Sequence, residues 1–387
     1  MHHLRETRAA PGDIRQGVLV AAAALTAAAA AAVALALVGC APRGGGQSAV
    51  TGARASWFEL QSTVFQTVAA PDASPPVPPL PWTVQSRVAD MAYLGDALYL
   101  AINGAGVAAA NPDPAGALKF SYHYDTTIFP HRTINALVPR HGELLIHSYY
   151  NALLNDAKPE DLLLRGVSLV TFLPAQRDFA FLIPPYQKKN PEWEAVGFAP
   201  VSENEFYFEW KYTDSSETKF AYTRYRADLQ VEASSTRDAY IAALGTPTLE
   251  GQGVPAPYSA FFAACRARLA VTAGTAVHFK VRSRNVPVQR YFRSGPEQDS
   301  ILVIHVLDEN GALYALLPDG QVLETAAVSG SPPRIVALPV LPAGYRYTDF
   351  VRMGDALIVA WEETRFTQVG RAGILALQAV APGGDFR

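Results

Sequence analysis

The histidines and acidic residues of this sequence are the first place to look for a site that does chemistry. His123, Asp125 and His131 lie close together along the chain, and imidazole and carboxylate groups are common ligands of zinc. A regular strand or helix would not bring these three side chains to one point, and the sequence has no histidine pair at the spacing of a metal-binding helix. We therefore interpret them as surface and turn residues, and we predict neither a metal nor another cofactor.

A pair of glycines imitates a nucleotide-binding loop. Gly104 and Gly106 follow an apolar segment, as at the start of a dinucleotide fingerprint. That fingerprint requires a helix of several turns directly after the loop, with its N-terminus facing the pyrophosphate. Pro112 and Pro114 would end any helix within two turns, so we predict a simple loop. The sequence also contains no nucleophile elbow, phosphate loop or EF-hand.

The N-terminal end carries the most specific motif of the sequence. Arginines precede an apolar stretch over residues 17–38, and the stretch runs into Leu37, Val38, Gly39 and Cys40. This order resembles the signal peptide and lipobox of bacterial lipoproteins. The resemblance implies that residues 1–39 are removed and that Cys40 becomes an acylated N-terminus. Another type of signal peptide or an uncleaved anchor is the alternative, because about 20 apolar residues suffice to span a bilayer.

Acylation of Cys40 would define the location of the mature protein. More than one acyl chain holds a protein stably on a membrane, which implies attachment to the cell envelope. Ala41 replaces the aspartate that retains lipoproteins at the inner membrane, which favours the outer membrane in bacteria with two membranes. Residues 40–55 are rich in small and polar residues and are predicted to form a flexible tether.

Charge and cysteine content exclude some partners and bonds. The net charge is −3, so the sequence lacks the basic surface that nucleic acid binding requires. The only cysteine besides Cys40 is Cys265, which has no partner for a disulfide if Cys40 is acylated. Its apolar neighbours predict a buried side chain rather than a reactive thiol.

The rest of the chain, residues 56–387, is predicted to be an all-β domain. Short apolar runs alternate with turns rich in glycine, aspartate, asparagine and proline, and only residues 236–244 and 259–269 show a short helical pattern. Asp90–Leu100 matches Asp349–Val359 at five identical positions. Such repetition indicates a fold built from repeated strand units. Looser copies of this turn-then-strand pattern begin at Gly142, Asn204, Gly274 and Gly311.

The repeat spacing resembles that of a β-propeller, in which four-stranded blades surround a central channel. Residues 311–325 are similar to the blade hairpin of quinoprotein-like propellers, with Asp319-Gly320 as its two-residue turn. The domain length predicts seven blades, with six as the alternative. We expect the strand at Trp57–Leu60 to pair with Ile374–Gln378 and close the ring. A β-sandwich pair or an irregular all-β domain would also produce repeated hairpins.

A propeller would bring one set of loops together. If each repeated strand is the second of its blade, the loop after it opens on the face around the central channel. Aromatic and charged residues would then form a binding surface at this mouth. The alternative is that the aromatic side chains pack between blades. The candidate residues are His147, Tyr149, Tyr150, Trp210, Tyr212, Arg282, Arg284, Trp361 and Glu362.

These expectations favour a non-enzymatic lipoprotein whose propeller is a binding or assembly scaffold for a protein or another envelope component. In architecture and anchoring it resembles the lipoprotein propellers of the outer membrane, including the member of the β-barrel assembly machinery, but no residue motif carries that resemblance. A propeller hydrolase or lyase acting on sugars or lactones is an alternative. For it, Glu362 and Glu363 are the only neighbouring carboxylates in a predicted mouth loop. A surface adhesin is a second alternative.

Overall fold

Strands dominate the part of the chain that the computed structural model describes. This part forms 24 strands and three helices, and all of it belongs to one unit, Ser48–Arg387. No helix within it is long and apolar enough to cross a membrane. The predicted signal peptide over 1–39, Cys40 and most of the predicted tether lie outside the described residues. Those residues are 53–61, 64–71, 87–112, 117–125, 128–129, 132–150, 166–202, 204–226, 231–243, 248–249, 256–269, 276–283, 286–294, 301–309, 311–325, 334–354, 356–365 and 368–379.

The first complete sheet along the chain is a four-stranded antiparallel meander. Its strands follow one another in order, and Gly95 makes the first turn at a φ of 60°. A glycine suits this turn because it lacks the Cβ that disfavours positive φ. Two strands precede the meander, β1 (Ala53–Gln61) and β2 (Val64–Val68). The meander consists of β3 (Val88–Leu94), β4 (Ala97–Ile102), β5 (Gly106–Pro112) and β6 (Leu118–Tyr124).

The next eight strands form two further antiparallel meanders. A single parallel pairing, between Ala195 and Gly166, joins them into one sheet. Helix α1 (Pro185–Lys189) lies between them in the chain, and α2 (Arg237–Ala243) follows the second. The first meander contains β7 (Arg132–Arg140), β8 (Glu143–Tyr150), β9 (Gly166–Leu173) and β10 (Asp178–Leu182). The second contains β11 (Glu194–Ser202), β12 (Glu205–Thr213), β13 (Thr218–Arg226) and β14 (Val231–Ser234).

A seven-stranded sheet follows, which mixes parallel and antiparallel pairing. Its strands are β15 (Thr248–Leu249), β16 (Ala276–Ser283), β17 (Val286–Ser294), β18 (Ile301–Glu309), β19 (Ala312–Leu316), β20 (Gln321–Glu324) and β21 (Arg334–Ala337). Strand β16 pairs antiparallel with β17 and parallel with β18, and β18 to β21 form another meander. Helix α3 (Ala256–Leu269) covers this sheet, where Phe262 stacks on Phe279 at 4.0 Å between ring centroids.

The last sheet joins the two ends of the described chain. Its C-terminal strands are β22 (Tyr345–Met353), β23 (Ala356–Arg365) and β24 (Gln368–Ala379). Strand β1 pairs antiparallel with β24, with Phe58 opposite Ile374, and β2 extends the sheet beyond β1. The sequence predicted this pairing between the first and last strands.

Side-chain alternation explains why these segments form strands. In β12, Phe206, Phe208 and Trp210 are fully buried, whereas the side chains between them are partly exposed. A strand projects successive side chains to opposite faces, and aromatic residues favour this half-buried surface. The prediction of an all-β class is therefore confirmed, and the two short helical patterns correspond to α2 and α3.

The apolar core lies between neighbouring sheets. The β3–β6 meander contacts the last sheet through side chains such as Leu100 and Ile374. Its other face contacts the β7–β10 meander, where Tyr99 meets Phe172. Further apolar clusters join β7–β10 to β11–β14, and β18–β21 to the last sheet. As a result, β22 lies beside both β3 and β18, and these strands position the polar residues of the site.

Candidate functional site

A cleft of about 520 Å³ lies where β3, β18 and β22 meet. Its volume falls within the range of small-ligand sites, roughly 300–1,000 Å³. Charged and aliphatic side chains form most of its wall, together with one tyrosine and one threonine. The residues that line it are Arg87, Val88, Ala89, Leu302, Val303, His305, Leu316, Leu317, Pro318, Arg346, Tyr347, Thr348, Asp349 and Glu362.

A buried arginine connects the strands behind this cleft. Arg282 of β16 donates from Nη1 and Nη2 to the two carboxylate oxygens of Asp349 at 3.1 and 2.8 Å, and Nη2 also donates to Asp90 of β3. The other oxygen of Asp90 accepts the Leu137 amide of β7 at 2.8 Å. On the cleft side, His305 Nδ1 lies 3.2 Å from Asp349 Oδ1. One guanidinium therefore ties together strands from three sheets.

The ionisation of this cluster follows from burial and charge together. Burial alone would raise the pKa of Asp349, but the Arg282 guanidinium and then His305 hold it well below its usual range. Burial alone would lower the pKa of Arg282, but Asp349 and Asp90 raise it above its ordinary value. Both groups are thus charged at neutral pH. A bidentate arginine–carboxylate contact of this kind is among the stronger hydrogen-bonded pairs.

Bulges in the strands aim these side chains. The pairing of β3 with β4 shifts just before Asp90, and the pairing of β22 with β23 shifts just before Asp349. A third shift lies at Arg282, between Val281 and Ser283, where the extra residues belong to the partner strand β17. A bulge redirects a side chain and often lies next to a functional site.

The two aspartates are equivalent positions of the sequence repeat. Asp90 begins the copy in β3 and β4, and Asp349 begins the copy in β22 and β23. Both copies present their first carboxylate to the same arginine. The two copies of the repeat therefore supply equivalent carboxylates that pair with the buried guanidinium of Arg282.

Two arginines share one glutamate at the mouth of the cleft. Glu362 is buried, and its Oε1 accepts hydrogen bonds from Arg346 Nε and Nη2 at 3.0 and 2.6 Å. Its Oε2 lies 3.7 Å from Arg87 Nη1. The side chains of Arg346 and Arg87 are 58% and 37% exposed, so the mouth carries two cations against one carboxylate.

Only one of the nine predicted binding residues lines this cleft, namely Glu362. Arg282 lies directly behind it, in contact with Asp349. Tyr149 is 40% exposed on another sheet, and Tyr212 stacks near Trp193 with ring centroids 5.6 Å apart. Arg284 and the side chain of Tyr150 lie outside the described residues.

The three remaining aromatic candidates lie in the core. His147 is partly exposed, but its Nε2 is buried and its ring lies 4.9 Å from that of Phe198, and burial lowers its pKa to about 4. Trp210 is fully buried, and its Nε1 donates to a threonine hydroxyl at 2.8 Å. Trp361 meets Trp57 edge to face at 6.3 Å. These side chains pack between sheets, which is the alternative considered for them from the sequence.

The other sequence motifs have structural roles. His123 lies 4.8 Å from Phe172 between ring centroids, Asp125 caps the turn that follows β6, and His131 lies outside the described residues. Gly104 belongs to the turn between β4 and β5, and Cys265 lies on the buried face of α3. Within the described ranges, no three histidine, cysteine or acidic side chains are grouped closely enough to hold a metal ion.

The sequence interpretation missed the residues that build the cleft. Arg87, His305 and Arg346 belong to no motif, and only the fold brings them together. Asp90 and Asp349 carried a usable signal, because a charged residue identical in two repeat copies begins an otherwise apolar strand. Such a residue is buried and must find a partner.

A family of unknown function, DUF8086, matches residues 46–380 of the sequence. The chain belongs to this family. Its match covers every described strand of the unit. No curated protein matches the sequence significantly.

Solved structures resemble this member of the family only distantly. A prolyl endopeptidase is 10% identical with a TM-score of 0.28, over 73% of this chain and 40% of that chain. The GH74 enzyme of Niastella koreensis is 8% identical with a TM-score of 0.25, over 71% and 47%. Regucalcin, a calcium-binding protein of Agrobacterium tumefaciens, is 11% identical with a TM-score of 0.22, over 75% and 76%. The chain thus spans less than half the length of the first two, and similarity this low indicates no function.

Proposed function

We propose that this protein is a lipid-anchored binding protein of the cell envelope. In this proposal, lipid on Cys40 holds a six-bladed β-propeller at the membrane, and the cleft between β3, β18 and β22 is where the propeller binds its partner. The observation that carries the binding function is the cleft itself, a concave site lined by both charged and aliphatic side chains.

Strand order supports a propeller of six blades. Four meanders, β3–β6, β7–β10, β11–β14 and β18–β21, each have the four strands of a blade. The β16–β17 hairpin with β15 would be a fifth, reduced blade. Strands β22 to β24 need β1 as their fourth strand, and sharing a blade between the two chain ends is how a ring of blades would close. A seventh blade would need another sheet, and the described residues contain no strands left over for it.

The ion pairing of the charged residues in the cleft favours binding over catalysis. Glu362 is held by Arg346, and Asp349 by Arg282, so each carboxylate already has an arginine partner. An acid or base catalyst instead needs a pKa close to the working pH. The pKa of Asp349 lies well below its usual range, because Arg282 and His305 outweigh the effect of burial.

The carboxylate pair of the enzyme alternative does not converge on one site. Glu362 and Glu363 are adjacent in β23, and adjacent residues of a strand project to opposite faces. Glu362 lines the cleft, whereas Glu363 accepts the Arg371 amide at 3.0 Å. The two groups therefore cannot act together on one sugar or lactone.

Anchoring is tested by a Cys40→Ser variant expressed as the full chain. A lipid-anchored protein is expected in the membrane fraction and to incorporate labelled palmitate, and the variant is expected to lose the label. Equal labelling of both chains would contradict the anchor.

Binding is tested by a photoreactive amino acid at Val303, which lines the cleft and is 45% exposed. Val340 is 98% exposed and outside the cleft lining, so the same substitution there is the matched control. Irradiation of native envelopes should yield a discrete adduct from position 303 and a much weaker one from position 340. Equal yields from both positions, or no adduct from position 303, would contradict binding at the cleft.

A further inference from the structure

We propose that the cleft captures the free carboxyl terminus of a peptide. The ligand carboxylate would lie between Arg87 and Arg346, and an aliphatic last side chain would lie against Leu302, Leu316 and Pro318. This inference rests on the proposed binding function and adds the chemistry of the ligand.

The arginines at the mouth retain hydrogen-bonding capacity. Arg346 uses Nε and Nη2 on Glu362, which leaves its Nη1 for another acceptor. Arg87 makes only the 3.7 Å ion pair with Glu362 and no hydrogen bond from its side chain among the described residues. A guanidinium carries five N–H donors and suits a planar carboxylate.

The charge at the mouth suits a single negative charge. Two guanidinium groups face the one carboxylate of Glu362, which leaves one positive charge unmatched. Asp349 also lines the cleft, where it is paired with Arg282 and His305. A ligand carboxylate would balance the mouth, whereas a phosphate with two charges would face repulsion from Glu362 and Asp349.

The aliphatic part of the lining suits a peptide with an aliphatic end. Leu302, Val303, Leu316, Leu317 and Pro318 line the cleft and provide an apolar surface for one side chain. Such a contact stabilises binding roughly in proportion to the apolar area buried.

A strand edge favours an extended main chain as the ligand. Strand β22 is an end strand of its sheet among the described residues and contributes to the cleft lining. The edge of an end strand offers main-chain donors and acceptors to an added strand. Peptide recognition often combines such pairing with capture of the terminal carboxylate.

The test compares two peptides that differ only at the carboxyl terminus. A fluorescein-labelled pentapeptide ending in Ala-Leu is prepared as the free acid and as the amide, and its binding to the purified mature protein is measured by fluorescence anisotropy. The free acid should bind at least ten times more tightly than the amide. Equal binding of the two peptides, or binding of neither, would overturn the proposal.

Three variants assign the binding to the cleft. Arg346→Gln and Arg87→Gln should each weaken binding of the free acid at least tenfold, whereas Glu362→Gln should tighten it because the internal competitor loses its charge. Arg226→Gln, at a side chain that is 56% exposed and outside the cleft lining, should change nothing. Unchanged affinity in both cleft arginine variants, or weaker binding in Glu362→Gln, would contradict the proposal. The acid–amide comparison uses the unmodified protein and holds even if a variant fails to fold.

The outcomes distinguish this inference from the proposed function. Suppose that the adduct at position 303 forms in envelopes, but the free-acid and amide peptides suppress its formation equally. The cleft then binds a partner, and the proposed recognition of a carboxylate is wrong. If no adduct forms at Val303, the proposed binding function itself is wrong.

Discussion

Replacing Arg282 tests the electrostatic core behind the cleft. In Arg282→Met, the bonds to Asp349 at 3.1 and 2.8 Å and the contact with Asp90 are lost, while the apolar stem remains. Both carboxylates are buried and would lose their compensating charge. Removing one partner of a buried ion pair costs about 3–5 kcal/mol, so we expect the free energy of unfolding at pH 7 to fall by that amount.

The pH dependence of this loss gives the sharper check. In the unmodified protein the pKa of Asp349 lies below its ordinary value, so its stabilisation is present above pH 4 and is lost only as the pH falls further. Without Arg282, burial would raise the pKa of Asp349 above its value in the unfolded chain. As the pH falls from 7 to 5, protonation of Asp349 would remove the uncompensated buried charge of the variant. The difference in unfolding free energy between the variant and the unmodified protein should therefore shrink.

Urea unfolding followed by tryptophan fluorescence measures both effects, because Trp57, Trp210 and Trp361 are buried. Arg226→Met is the control, since Arg226 pairs with Glu205 at 3.6 Å while its side chain is 56% exposed. An exposed pair contributes less than about 1 kcal/mol. A loss below about 1 kcal/mol for Arg282→Met, or a loss that is equal at pH 5 and pH 7, would refute this reasoning.

Two further predictions concern the strand pairing and the core. A Cβ at Gly373 would lie 2.0 Å from the Phe58 carbonyl oxygen, so Gly373→Ala should lower the unfolding free energy by roughly 3 kcal/mol. The control is Gly142→Ala, which has open space around it and should cost only about 1 kcal/mol. Equal losses of the two variants in urea unfolding would contradict the close β1–β24 contact. Burial lowers the pKa of His147 to about 4. Between pH 6.5 and pH 4, His147 therefore binds a proton in the unfolded chain but not in the folded chain. The free energy of unfolding should fall by roughly 3 kcal/mol over this range. His147→Leu should remove that part of the pH dependence, and an unchanged pH profile would show that His147 is not its source.

The sequence predicted the fold class because local signals agree with it. The repeat at Asp90–Leu100 and Asp349–Val359 marked equivalent strand hairpins, and the apolar strand near Trp57 marked the partner of the last strand. Alternating polarity and turn residues act over a few residues, so they can be recognised along the chain. How the strands group into sheets depends on pairing between distant segments, which no local pattern contains.

The cleft could not be predicted from the sequence either, because it too depends on contacts between distant segments. Arg282 and Asp90 are 192 positions apart and meet only because their strands lie side by side. A strand register that shifts at a bulge also decides whether Asp349 faces the cleft or the opposite side. The repeat signalled that two aspartates are equivalent, but the arginine between them has no counterpart in the repeat.

The aromatic candidates show the limit of residue type as a guide to function. Trp210 and Trp361 follow apolar strands, as surface binding residues of a loop would, yet both continue the buried face of their strands. Large aromatic side chains stabilise a core as readily as they form a binding surface. Glu362 differs because a carboxylate that is buried requires a partner, and its partners, Arg87 and Arg346, form the mouth of the cleft.

The central claim, that the cleft is occupied in the cell envelope, is tested most directly by the reactivity of one thiol. Cys265 is buried and Cys40 is expected to be acylated, so a Val303→Cys chain presents a single accessible thiol in the cleft, with Val340→Cys as its control. The rate of maleimide labelling is compared between native envelopes and purified protein. The account predicts at least tenfold slower labelling at position 303 in envelopes and no comparable change at position 340. Equal rates at position 303 in both preparations would contradict it.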